Sequence, residues 1–130
     1  QQALSHFTKR DEIWAKLDAG SQAFLDRINR SAVPFEKILA NIALTGSRRP
    51  IIIQSIFNLL NGEGPPPLEI FYYAQKLLQL KNQGVQISLV QIYSATRPTS
   101  NSNCSHLPLK SLSEIAQIVR KTTGLRVEVF

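Results

Sequence analysis

Methionine is absent from this chain of 130 residues, and cysteine occurs once. A lone Cys104 excludes an internal disulfide and makes the cytoplasm the default expectation. With only two histidines, His6 and His106, no Ser/His/Asp or Cys/His arrangement for nucleophilic catalysis can be argued. Cys104 and His106 stand close together, but two ligands do not make a zinc site and no further Cys or His is near. No apolar run approaches the roughly 20 residues that span a bilayer, so no membrane partner is expected. The opening Gln1-Gln2-Ala3 lacks the basic-then-apolar order of a secretory leader. Its abrupt start without Met suits a piece of a longer protein.

Charge is also sparse. Charged residues make up 18% of the chain against 43% hydrophobic, which is a globular composition and too apolar for disorder. The length suits a single domain, 1–130, and is short for a complete barrel. Fifteen Lys and Arg against nine Asp and Glu leave a net charge of +6, which makes RNA or another anionic substrate a candidate partner. The basic residues are scattered, however, from Lys9-Arg10 through Arg48-Arg49, Lys76, Lys81 and Lys110 to Arg120-Lys121. Solvated helix faces explain most of them.

What the chain does contain is a set of apolar strands that run out into polar residues. The expected strands are 13–18, 51–56, 86–93 and 126–130. Between them lie stretches of helical period. Ser21 suits an N-cap for a short helix carrying Phe24, Leu25 and Ile28. Pro34 opens a second helix with Phe35, Ile38, Leu39 and Ile42 as its buried stripe, ended by Gly46. A loop over 58–67 leads to a helix over 67–83, closed by Gly84. A long polar loop over 94–106 precedes the last helix, for which Ser111-x-x-Glu114 reads as a capping box and Gly124 as the stop. Ala3, Leu4 and Phe7 read as the tail of an upstream helix. The order is β-α-α-β-α-β-α-β, a parallel α/β sheet that is either open or part of a barrel.

Alternation places Trp14, Lys16 and Asp18 on one strand face, Ile52, Gln54 and Ile56 on the next, and Ile87, Leu89, Gln91 and Tyr93 on the third. Lys16 and Asp18 stand about 7 Å apart on their strand. Two charges on an otherwise apolar strand are costly without a partner. They form either an internal ion pair or a site in which the carboxylate accepts from a ribose diol and the ammonium holds a carboxylate or phosphate. Gln54 and Gln91 read either an adenine edge or neighbouring strand ends. Tyr93 either stacks on a base or donates its hydroxyl, or is an ordinary strand-end aromatic, and Arg97, before Pro98, is either a clamp for an anion or a surface arginine. Asn61-Gly62-Glu63-Gly64 lacks the Lys-Ser/Thr and the spacing of a phosphate-binding loop.

Four segments occur in order: Trp14-Ala15-Lys16-Leu17-Asp18-Ala19-Gly20, Arg49-Pro50-Ile51-Ile52-Ile53-Gln54-Ser55-Ile56-Phe57, Leu89-Val90-Gln91-Ile92-Tyr93 with Arg97-Pro98, and Thr123-Gly124-Leu125-Arg126-Val127-Glu128-Val129-Phe130. Together they resemble the carboxyl-terminal half of radical S-adenosylmethionine proteins, in the branch similar to wyosine-type tRNA-modifying synthases. The resemblance implies the last strands of a partial (β/α)6 TIM-like barrel. It implies that Lys16 and Asp18 contact the ribose or amino-acid part of S-adenosylmethionine, that Gln54 lies near the adenine, and that Gln91, Tyr93 and Arg97 face cofactor or substrate. The family's C-x3-C-x2-C triplet, whose thiolates hold a four-iron–four-sulfur cluster, is missing. The intact parent would carry that cluster and S-adenosylmethionine, and this chain alone would bind neither fully and catalyse nothing. Expected partners are a missing amino-terminal half-barrel or a second copy. The alternatives are a self-contained α/β module binding a nucleotide or RNA, or a domain that serves only to assemble with a partner protein.

Overall fold

The computed structural model describes residues 12–28, 33–60, 62–94 and 104–130. The expected helix tail at Ala3, Leu4 and Phe7 lies outside them. The elements are β1 (Trp14–Lys16), α1 (Gln22–Ile28), α2 (Phe35–Gly46), β2 (Ile51–Ile56), β3 (Asn58–Leu60), α3 (Pro67–Asn82), β4 (Ile87–Tyr93), β5 (Cys104–His106), α4 (Leu109–Thr123) and β6 (Val127–Val129). None of the described helices is long and apolar enough to cross a membrane.

Four strands form one sheet in the order β1-β2-β4-β6, and every adjacent pair is parallel. Strand order therefore follows chain order with no reversal. Crossovers between parallel strands are right-handed, so stepping always in one direction returns each helix to the same side of the sheet. A doubly wound sheet reverses direction and covers both faces; this one does not reverse. Burial agrees with that argument. Leu17, Ile51, Ile53, Val90, Ile92 and Val127 enter one core cluster with Phe35, Ile42, Leu77, Leu112, Ile115 and Val119 from the helices. Trp14, Ile52, Gln54, Ile56, Leu89, Gln91 and Tyr93 take no part in it.

Local chemistry accounts for most element ends. Pro34, Pro66 and Pro108 each precede a helix in extended conformation, a position that costs no backbone donor. Ser21 caps α1, its Oγ accepting from Phe24 N at 3.3 Å. Gly124 stops α4 with φ +73°, the left-handed conformation that glycine adopts without steric cost. The expected capping box fails: α4 starts at Leu109, so Ser111 and Glu114 lie inside the helix, and Leu112 N bonds to Pro108 O instead. Pro108 set the boundary before Ser111 was reached.

Two expected loops contain strands. β3 and β5 pair antiparallel, Asn58 opposite His106 and Leu60 opposite Cys104. This ribbon lies beyond the carboxyl ends of β2 and β4. Ser94, 3% exposed, fastens it by donating to Asn58 Oδ1 at 2.7 Å and accepting from Leu107 N at 2.8 Å. A second departure concerns β4. A bulge pairs Ile51 with Ile87 but Ile52 with Leu89, so Ile87 leaves the expected face and packs against the core.

Buried polar groups pin the loop after β1 to α3. Glu69, 5% exposed, accepts from Gly20 N and, at 2.7 Å, from Ser21 Oγ. Tyr73 OH donates to Ser55 Oγ at 2.6 Å, and Ser55 donates to Leu17 O. Burial pushes the Tyr73 hydroxyl pKa far up, so it stays a donor. Its ring meets Phe57 edge-on at 5.1 Å. Gly20 passes so close to α3 that a Cβ would stand 2.2 Å from Tyr73 N, and helix backbone has no room to give. Gly20→Ala is expected to lower unfolding free energy by about 1–3 kcal/mol, read by urea denaturation. An unchanged midpoint would show that the loop does not dock as described.

Candidate functional site

The face left out of the core is layered. Trp14, Ile52 and Leu89 are partners across three strands and form an apolar layer. One step toward the carboxyl ends, Lys16, Gln54, Gln91 and Glu128 are partners across all four. Beyond them Ile56 pairs with Tyr93. The alternation of strand side chains puts each layer on this one face. An ammonium, two amides and a carboxylate thus stand in line on a sheet whose other face is apolar.

Lys16 joins this row to the carboxyl edge. Its ammonium reaches past β2 to donate to Tyr93 OH at 2.7 Å, and sits 5.0 Å from the Tyr93 ring centroid. It also pairs with Asp18 Oδ1 at 3.4 Å. Asp18 follows β1, and its Oδ1 accepts from Ile56 N at 2.8 Å. The carboxylate therefore ties β1 to the end of β2 while facing Lys16. Burial pushes the Asp18 carboxyl above its ordinary value of 3.8, although the Ile56 N–H and Lys16 pull it down.

Lys16, Asp18 and Tyr93 are in mutual reach, and Gln54 and Gln91 hold the adjacent level. Of the two readings of Lys16 and Asp18, the ion pair is the one seen in the structure. Arg97 lies outside the described residues. Gln54 and Gln91 are half-buried, and neither side chain makes a hydrogen bond among the described residues. Sequence reasoning passed over Glu128. Its signal was the alternation Arg126-Val127-Glu128-Val129, which sets Val127 and Glu128 on opposite faces of the last strand. Arg126 Nη2 pairs with Glu128 Oε2 at 2.7 Å, and the two side chains are 71% and 37% exposed. Ser94 was missed because nothing in a polar loop marks one serine as buried.

Among the described residues no group of three or more His, Cys, Asp or Glu is placed to hold a metal ion. Comparison with protein-family models, with curated proteins and with solved structures gives no match. Function therefore rests on geometry and on the resemblance in the sequence.

Asp18 generates a test of this description. Unfolding returns its pKa to about 3.9, whereas the folded chain holds the proton to higher pH. The folded state thus binds more protons through that window, so its stability falls as pH rises across it and the full cost persists at neutral pH. Asp18→Asn keeps an oxygen acceptor for Ile56 N and does not titrate. Urea melts from about pH 3 to 7 should show wild-type stability, relative to Asp18→Asn, declining with pH and then levelling. A relative stability that rises with pH would contradict the desolvated carboxyl.

Proposed function

We propose that this chain is the carboxyl-terminal part of a (β/α) barrel of the radical S-adenosylmethionine type, and that its strand ends hold S-adenosylmethionine. The observation that carries this reading is the level row Lys16, Gln54 and Gln91 on the face left out of the core, with Asp18 and Tyr93 gathered at its carboxyl edge. Two further features support it. Strands stepping in one direction with helices on one side are compatible with part of a barrel, whose interior would be the face left out of the core cluster. Ligands of parallel α/β folds bind at the carboxyl ends of the strands.

In this reading Lys16 holds the amino-acid carboxylate, and Asp18 accepts from the ribose diol. Gln54 and Gln91 bond to the polar edge of the base, and the Tyr93 ring packs against the cofactor. The remaining strands come from outside this chain. The residues present do not fit an iron–sulfur cluster, which takes several thiolates where the chain has one cysteine. The cluster ligands then belong to the rest of the barrel, and no chemical step is assigned to this chain alone.

A second reading, a self-contained module for RNA, draws on the net charge of +6. It requires affinity that falls steeply with added salt, whereas the first requires a response to S-adenosylmethionine. Calorimetric titration of the 130-residue chain with S-adenosylmethionine should give binding in the range of ~1 mM or tighter. Lys16→Ala should weaken it about tenfold, the effect of losing one charge-assisted hydrogen bond. Equal binding by wild type and Lys16→Ala would remove Lys16 from the site, and no binding by wild type would overturn the reading.

A further inference from the structure

The serine and glutamate of the failed capping box have no hydrogen-bonding duty in the fold. Because α4 begins at Leu109, neither caps it, and Ser111, Glu114 and Ile118 lie three and four residues apart on one helix face. Among the described residues the side chains of Ser111 and Glu114 make no hydrogen bond, and Lys110, one turn before Glu114, forms no ion pair with it. The same helix face borders a cavity of about 300 Å³ between α3 and α4. Buried Ile70, Leu107 and Ile115 line it, with Leu59 of β3 and Pro67 at the start of α3. Ile118, 43% exposed, stands at the mouth beside the exposed Glu114. Gly64, on the wall, leaves room that a side chain would take, since a Cβ there would stand 3.2 Å from Leu107 Cδ1. Ile70, Leu107 and Ile115 belong to the core cluster, so the cavity lies on the helix side of the sheet, away from the row of Lys16, Gln54 and Gln91.

We propose that this cavity binds a small organic cation, an apolar body carrying a primary ammonium, with Glu114 as its counter-ion and Ser111 Oγ as a second acceptor. Small-molecule sites are concave and mainly apolar, with a few polar groups that fix orientation. Here those groups are a carboxylate, which only accepts hydrogen bonds, and a hydroxyl, which can accept; an ammonium brings three donors. The helical spacing of Ser111 and Glu114 puts both within reach of one such head group. An anion would meet the carboxylate with like charge, and an uncharged ligand would cover it without giving it a partner, which costs free energy. A cavity of about 150 Å³ holds benzene, so one of about 300 Å³ accommodates a ring with a short chain. The buried end is apolar and the carboxylate stands at the mouth, so the ligand enters with its apolar end first. A lysine side chain from a partner protein would lead with its ammonium and meet the wrong end of the cavity.

The test titrates phenethylamine into the 130-residue chain and follows the Ile and Leu methyl resonances by NMR, beside hydrocinnamate, which carries a carboxylate in place of the amine, and methylamine, which lacks the apolar body. Phenethylamine should shift the methyls of Ile70, Leu107, Ile115 and Ile118 and saturate in the range of ~1 mM or tighter. Hydrocinnamate and methylamine should each bind at least about tenfold more weakly, and Glu114→Gln should weaken phenethylamine about tenfold, the effect of losing one charge-assisted hydrogen bond. Glu114 is exposed, and unchanged resonances of Ile53 and Ile92 in the variant check that its fold is intact. Hydrocinnamate binding as tightly as phenethylamine, or an affinity for phenethylamine that survives in Glu114→Gln, would overturn the cation site. Absence of shifts at the four methyls would overturn the cavity as a binding site. The nucleoside reading concerns the opposite face of the sheet and stands or falls by its own titration.

Discussion

The hand of the crossover connection is the constraint on which the rest of this structure depends. Connections between neighbouring parallel strands are right-handed as a rule, and here the strands are laid down in chain order. All the crossover helices therefore fall on one side. That arrangement divides the sheet into a face buried by Ile53, Val90 and Ile92, each 0% exposed, and a face outside the main core cluster, on which Ile52 is nonetheless buried. Parallel sheets are ordinarily covered on both sides. The second face accordingly mixes what a core would not accept. Trp14 is 45% exposed, and Lys16, Gln54, Gln91 and Glu128 follow one layer above.

The carboxyl edge of the sheet is held by polar contacts rather than by apolar packing alone. Glu69 fastens Gly20 and Ser21 to α3, Tyr73 and Ser55 fasten Leu17, and Asp18 fastens Ile56 N. Each partner is buried or nearly so, where an unpaired polar group costs about 1–3 kcal/mol. This fixes the backbone on which Lys16 and Asp18 stand. Ser94 does the same for the ribbon of β3 and β5. A ligand site placed here would be preorganised by bonds that belong to the fold.

The sequence made the framework legible where apolar period and proline agreed. The second strand was read residue for residue as 51–56, because its apolar run is bracketed by Pro50 and a polar loop. Helices ending at Gly46 and Gly124 followed from the same signals. Short ribbons were not legible: β3 and β5 have three residues each, and their pairing lies between segments about 45 residues apart in sequence, beyond any local pattern. Nor was the bulge at Ile87, since alternation assumes an unbroken register. Of the site, Lys16, Asp18, Gln54, Gln91 and Tyr93 were visible as polar interruptions of apolar strands. Glu128 was hidden, because a strand of three residues offers too little alternation to assign a face.

The distinction between Asp18 and its neighbours bears on which residues serve a ligand. Asp18 has a structural duty, the bond from Ile56 N, which accounts for its presence even against the desolvation that raises its pKa. Lys16 has no comparable duty. Its side chain is 49% exposed, and exposed ion pairs contribute about 0–1 kcal/mol. Its bond to the Tyr93 hydroxyl is likewise exposed. The side chains of Gln54 and Gln91 make no hydrogen bond among the described residues. Stability alone would favour apolar residues at these three sheet positions, since a half-buried strand surface prefers β-branched and aromatic side chains. Four polar groups in one register therefore leave on this face hydrogen-bonding capacity that the sheet itself does not use.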